Sequence, residues 1–178
     1  MAKRGGVADN DGGATASPTR QDAPGVIDAH VHVFPPEMVS QRERFFARDE
    51  WFRLLYGSSH ARMVTVPELL SHMDAVGVKQ AVVFGFPFKD QALCRLVNDY
   101  VLSEVRGRPE RLVGLACVSP EKPGAAAELE RCLDGGLVGC GELSSDGQGF
   151  TWEGLRAVAG VLVERGRPLL LHASEPVG

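Results

Sequence analysis

From Val26 onward, short apolar runs alternate with segments whose apolar residues recur at helical spacing. The runs are VIDAHVHVF, KQAVVFGFP from Lys79, RLVGLACVS from Arg111, LVGCGELS from Leu137 and PLLLHAS from Pro168. Their length and apolar character suit buried strands. Between them lie VPELLSHMDAVG, DQALCRLVNDYVLSEVRG, GAAAELERCLDGG and TWEGLRAVAGVLVERG. These are amphipathic, and several close on glycine, which tolerates the left-handed conformation of a helix cap. Strand and helix in alternation, with near-continuous apolar strands, predict an α/β fold: a parallel sheet covered by helices. In open and closed sheets of this kind, ligands bind at the C-terminal edge of the strands.

Two stretches fall outside the alternation. Residues 1–24 are rich in Gly, Ala, Ser, Asp and Thr without periodicity, so they bury too little apolar surface to offset chain ordering and are expected to be a disordered tail. Residues 35–66 form an insertion after the first strand, too long for an ordinary connection. It carries Phe45, Phe46, Trp51, Phe52 and Tyr56 together with Arg42, Arg44, Arg48 and Arg53. Such an insertion suits a lid or binding loop, and equally a small helical unit whose aromatics pack on the domain.

Composition narrows the classes. A chain of 178 residues with 44% apolar content is long enough for one domain with a substantial core. A net charge of −4 argues against a general nucleic-acid binder, which needs a basic face. Cys94, Cys117, Cys132 and Cys140 form no C-x-x-C pair and read as reduced thiols of a cytoplasmic protein. No apolar stretch approaches a membrane span, and the start lacks the apolar core of a signal peptide.

The first run raises a chemical question, because IDAHVHVF places Asp28, His30 and His32 where a buried strand asks for Val and Ile. Alternation puts these three on one strand face and Ile27, Ala29, Val31 and Val33 on the other, which is expected to pack on a helix layer. Two neighbouring imidazoles can reach one divalent cation; they also suit a pair of hydrogen-bonded core histidines. The last run adds His172, on a face with Leu170 and Ser174, and the fourth adds Glu142, on a face with Cys140 and Ser144. A carboxylate there can ligate a metal, orient a histidine or act as a base, or serve as a structural salt-bridge partner. His60, in the insertion, and His72, on a helix, read as surface residues.

The stretches IDAHVHVFPPE, CGELSSDGQGF and PLLLHASEPVG resemble the amidohydrolase-related family, whose members include the aminocarboxymuconate semialdehyde decarboxylase relatives. The resemblance runs from about Val26 to the last residue. It implies a (β/α)8 TIM-type barrel and a divalent metal, commonly zinc, bound by His30, His32 and His172, with Glu142 at the strand-four position that bridges or supports the metal and can act catalytically. It also implies water activation in a hydrolase, or orientation of a small carboxylated substrate in a decarboxylase. The insertion's arginines hint at an anionic ligand of that kind.

A complete barrel of this type has eight strands in typically about 250 residues, whereas this chain shows five candidates. The family's strand-six histidine and strand-eight aspartate have no counterpart, and Asp28, on the strand of His30, does not replace the latter. The chain therefore reads as the N-terminal part of such a barrel, spanning residues 25–178. On that reading it is inactive or weakly active alone, and open to self-association or to a complementing C-terminal fragment. A phosphoesterase of the polymerase and histidinol phosphatase type, which also begins with His-x-His, and a non-catalytic barrel remnant are the alternatives.

Overall fold

The structure is a computed structural model that describes residues 25–173. The expected disordered tail and Ser174 lie outside the described residues. The first strand, β1 (Val26–His32), is followed by three short helices, α1 (Pro36–Ser40), α2 (Glu43–Phe46) and α3 (Glu50–Tyr56). Four further strands then alternate with helices: α4 (Val66–Val76), β2 (Val78–Phe84), α5 (Gln91–Gly107), β3 (Leu112–Gly114), α6 (Ala125–Asp134), β4 (Cys140–Leu143), α7 (Ser145–Gln148), α8 (Trp152–Arg165) and β5 (Leu169–Leu171).

The strands run parallel in the order β1-β2-β3 and β4-β5. A parallel bridge between Ala116 and Cys140 joins the two sheets, with Ala116 N–H donating to Gly139 and Gly141 N–H donating to Ala116. The described strands do not close into a barrel, and β1 and β5 are its two open edges.

The four long helices fall where the sequence pattern places them, because their ends are chemically marked. Thr65 and Glu68 form a capping box at α4, which ends on Gly77 at φ 80°. Asp90 and Thr151 cap α5 and α8 through their side chains, and α8 ends on Gly166 at φ 59°. These groups satisfy the orphan amides and carbonyls of helix ends.

The start of β1 departs from expectation. Val33 is fully buried and Val31 partly so, but Ile27 is 58% and Val26 59% exposed. A strand on the edge of an open sheet lacks a neighbour on one side, so its first residues do not gain the helix cover that a central strand receives.

The insertion is packed onto the domain. Phe52 is fully buried and meets Phe34, Phe46, Tyr56, Phe86 and Phe88 at ring-centroid distances of 5.1–6.1 Å. Asp49 locks it in place: its carboxylate accepts from Phe52 N–H at 2.9 Å, capping α3, and from Lys89 N–H at 2.8 Å, reaching the loop after β2. Arg48 pairs with Asp90 at 2.6 Å across the same junction.

A buried polar clamp holds the helix layer to the sheet. Asn98 on α5, fully buried, donates to Cys117 C=O at 2.8 Å and to Glu128 Oε1 at 3.0 Å, and accepts from Cys117 N–H at 2.9 Å. Arg131 donates to both oxygens of Glu128. Burial works against ionisation of Glu128, but these hydrogen bonds outweigh it and hold its carboxyl below the usual carboxylate range. A depressed folded pKa contributes stability in full above the unfolded value, about 4.3 for Glu. That contribution is lost as pH falls through the folded value. Urea unfolding should therefore show the stability gap between wild type and Glu128→Gln largest near neutrality and shrinking below about pH 4. A gap that stays constant on acidification contradicts this account.

Candidate metal centre

Of the polar residues singled out in the sequence, His30, His32, Glu142 and His172 meet at the C-terminal ends of β1, β4 and β5. Glu142 stands at the middle, 7% exposed. Its Oε2 lies 3.1 Å from His32 Nε2 and 3.7 Å from His30 Nε2, and its Oε1 lies 3.0 Å from His172 Nδ1. Donor atoms of His30, His32 and Glu142 all fall within 4.8 Å of one another. His172 joins them from the far oxygen of Glu142. The sequence reading paired His172 with His30 and His32 as ligands; here Glu142 stands between the two groups.

Local irregularities aim these side chains. Between Asp28 and Val31, β1 advances three residues while β2 advances two, and between Cys140 and Leu143, β4 does the same against β5. Each extra residue is a bulge, a device that redirects side chains beside functional sites. In β1 the freed His30 N–H finds the carboxylate of Asp28 at 3.2 Å, which gives Asp28 a backbone role. In β4 the bulge breaks strict alternation. Cys140 is fully buried in the core, while Glu142 and Ser144 line the cavity, so the expectation that all three share a face is corrected. Gly141 makes this turn possible: its φ of 137° and its approach to Leu170 leave no room for a Cβ.

The tautomer of His32 follows from its partners. Its Nδ1 lies 2.9 Å from the carbonyl of Gly85, which can only accept, so Nδ1 carries the hydrogen and donates. In the neutral ring Nε2 then presents a lone pair to the Glu142 carboxylate. Two acceptors at 3.1 Å require a proton or a shared cation between them. Burial opposes ionisation of Glu142, but the hydrogen bonds from His32 and His172 and the nearby charge of His32 and His30 hold its carboxyl below the usual range. Two imidazoles and one carboxylate are a donor set suited to a divalent cation. Beneath them the fully buried Phe84 ring stands edge-on to His30 and His32, each at 4.9 Å.

The cavity above this cluster has a volume of about 300 Å³ and a wall of Trp51, Leu55, Tyr56, Phe86 and Pro87. The insertion therefore both packs on the domain and walls the site. Burial, with the charge of Glu142 adding to it, pushes the Tyr56 phenol up to about 12, so it remains a donor at neutral pH. Among the described residues no arginine lines this cavity; Arg48 and Arg53 line a separate charged cleft beside it. His60 and His72 are exposed. Of the wall, Trp51 and Tyr56 stood out in the sequence among the aromatics of residues 35–66, while Leu55, Phe86, Pro87 and the buried Gln148 did not. Gln148, 2% exposed, donates to Phe88 and Val118 carbonyls and accepts from Ser144 N–H, tying α7 to the loops after β2 and β3.

Comparison with known proteins adds a family and a set of folds. A sequence model of the family described as amidohydrolase matches residues 27–177. No curated protein matches the sequence. Among solved structures, 5-carboxyvanillate decarboxylase from Novosphingobium aromaticivorans, complexed with manganese and 4-hydroxy-3-methoxy-5-nitrobenzoic acid, is 21% identical with a TM-score of 0.70, over 85% of this chain and 51% of that one. A 2,6-dihydroxybenzoate decarboxylase from Rhizobium is 23% identical with a TM-score of 0.59, over 86% and 51%. A dihydroxybenzoic acid decarboxylase from a Polaromonas species, with bound manganese and the inhibitor 2-nitroresorcinol, is 22% identical with a TM-score of 0.54, over 86% and 50%. The chain spans about half the length of these structures.

Trp51 offers a direct check on the cavity wall. A Cβ added at Gly147 would lie closer than 3.0 Å to Cδ1, Nε1 and Cγ of its indole, so Gly147→Ala must displace the ring. The chain has two tryptophans, and in a Trp152→Phe background Trp51 alone reports. Gly147→Ala should shift its emission to longer wavelength and increase acrylamide quenching, at a stability cost of about 1–3 kcal/mol for overpacking. Unchanged emission contradicts the wall described.

Proposed function

The chain belongs to the amidohydrolase family, and on that premise we propose that it carries part of the active site of a metal-dependent decarboxylase acting on a small aromatic carboxylic acid. The observation that carries the reading is the convergence of His30, His32 and Glu142 at the base of an aromatic-walled cavity. His30, His32 and Glu142 would hold the cation, and His172, 3.0 Å from the other oxygen of Glu142, would orient that carboxylate. A bound cation supplies Lewis acidity, polarising a substrate oxygen and stabilising negative charge as a carbon–carbon bond breaks.

The chain's own residues do the rest. Gly85 fixes the His32 tautomer, and Phe84 holds both imidazoles edge-on. Trp51, Leu55 and Phe86 exclude water and match a planar apolar ring. Tyr56, kept protonated, donates to a substrate oxygen.

The solved relatives and the apolar wall favour decarboxylation over hydrolysis, and the family match leaves the phosphoesterase alternative without support. Zinc, expected from the sequence, and the manganese of two relatives are both served by imidazole and carboxylate. The chain spans half the length of those relatives, and on this proposal a second polypeptide would supply further strands to the site. The open edge at β1 fits that role, since Val26 and Ile27 are 59% and 58% exposed. A complementing polypeptide that pairs with β1 would cover them. The four buried thiols suit a cytoplasmic setting, and among the described residues no helix is long and apolar enough to cross a membrane.

Two measurements test the proposal. Manganese titration should show binding that His32→Ala weakens by more than about tenfold, while His60→Ala leaves it unchanged. With 2,6-dihydroxybenzoate and 5-carboxyvanillate as probes, the chain alone should release little carbon dioxide. Mixing with a polypeptide carrying the last three strand-helix units of a solved relative should raise the rate. Turnover that survives both chelation and His32→Ala overturns the reading.

A further inference from the structure

The core directly behind Glu142 contains a polar chain that the proposed chemistry does not use. Cys117, fully buried past the end of β3, donates its thiol hydrogen to the carbonyl of Glu142 at 3.1 Å. Its backbone N–H and C=O are both taken by the Asn98 side chain, at 2.9 and 2.8 Å. Asn98 is in turn held by Glu128 at 3.0 Å. A side-chain amide gripping both backbone groups of one residue allows that residue little freedom, and a fully buried amide is rarely placed without all its partners. The thiol is therefore delivered to a fixed point, and that point is the peptide from which the carboxylate that meets the His32 and His172 rings projects.

We infer that Cys117 is a positioning residue for the metal centre: held by Asn98, its thiol fixes the Glu142 peptide at the β4 bulge and so sets where the carboxylate meets His32 and His172. The inference rests on the metal-site reading for its consequence, although the positioning itself exists without metal. A bulge frees the strand from the regular ladder, so the aim of the residue on it depends on such extra contacts. Partners one step removed from a ligand typically change metal affinity by about 10–100-fold when lost.

The test uses the full chain with four substitutions. Cys117→Ala and Cys117→Val remove the donor, the second while filling the space; Cys117→Ser restores a donor; Met73→Ala truncates a buried side chain on α4, away from the Asn98–Glu128 chain. Manganese affinity is measured well below each variant's unfolding temperature, and imidazole resonances are recorded on metal-free protein at one pH. Cys117→Ala or Cys117→Val, whichever folds, should weaken manganese binding about tenfold and move the His32 and His172 resonances while His60 stays. Cys117→Ser should return both readouts towards wild type, and Met73→Ala should leave the affinity and the His32 and His172 resonances unchanged. Wild-type affinity and resonances in the donor-less variants overturn the inference, as does an equal effect from Met73→Ala or a folded Cys117→Ser that fails to rescue. If wild type binds no manganese, the metal-site reading fails by itself, and the metal-free resonances decide the positioning.

Discussion

The carboxylate of Glu142 draws the first, fourth and last strands of the sheet to one point. His32, from one open edge, meets one of its oxygens, and His172, from the other edge, meets the second. β1 and β5 are not neighbours, so the sheet must curve for both to reach the same residue. That contact has an electrostatic demand built into it. With Nδ1 of His32 committed to the Gly85 carbonyl, a neutral ring would set a lone pair against a carboxylate. A positive charge must sit between them, and nearly complete burial of Glu142 makes leaving it out costly. A divalent cation would meet the demand, with His30 close enough to join as a third ligand.

The surroundings follow from keeping that point fixed and dry. Phe84 supports the imidazoles from below, and the insertion closes over the top. Its three helices have four to seven residues each, too short to persist alone, so tertiary packing holds them. Burying a ring such as Phe52 contributes roughly 1.5–3 kcal/mol, and Asp49 adds two backbone hydrogen bonds at the junction with Lys89 and α3. Because Trp51, Leu55 and Tyr56 sit on the packed helix α3, the cavity wall inherits its order from the same contacts. The charged cleft on the other side of Trp51 takes Arg48 and Arg53, while Arg42 donates to the Ala61 carbonyl and Arg44 pairs with Glu37, so these arginines are engaged away from His30, His32 and Glu142.

Much of this was legible because it depends on periodicity and on marked helix ends. The segments from Val66, Gln91, Ala125 and Trp152 combine apolar spacing with Thr, Asp or Gly at their termini, and each is a helix at that place. The convergence of His30, His32, Glu142 and His172 was legible from their position at strand ends in a parallel sheet. What the pattern could not show is whatever depends on departures from periodicity. Alternation assigns Cys140 and Glu142 to one face, and the bulge at Gly141 separates them. Edge exposure of Ile27 depends on which strands are neighbours, and the Asn98 clamp on which helix lies over β3. Neither is written in local spacing.

The central claim is that His32 Nε2 and the Glu142 carboxylate share a divalent cation. Crystals of the full chain grown with manganese test it most directly, through the anomalous difference density at the manganese edge. The account predicts a peak at coordinating distance, roughly 2.0–2.3 Å, from His30, His32 and Glu142, and none in a Glu142→Ala variant. A peak confined to the charged cleft beside Trp51, or a site without anomalous density and with His32 bonded directly to Glu142, would contradict it.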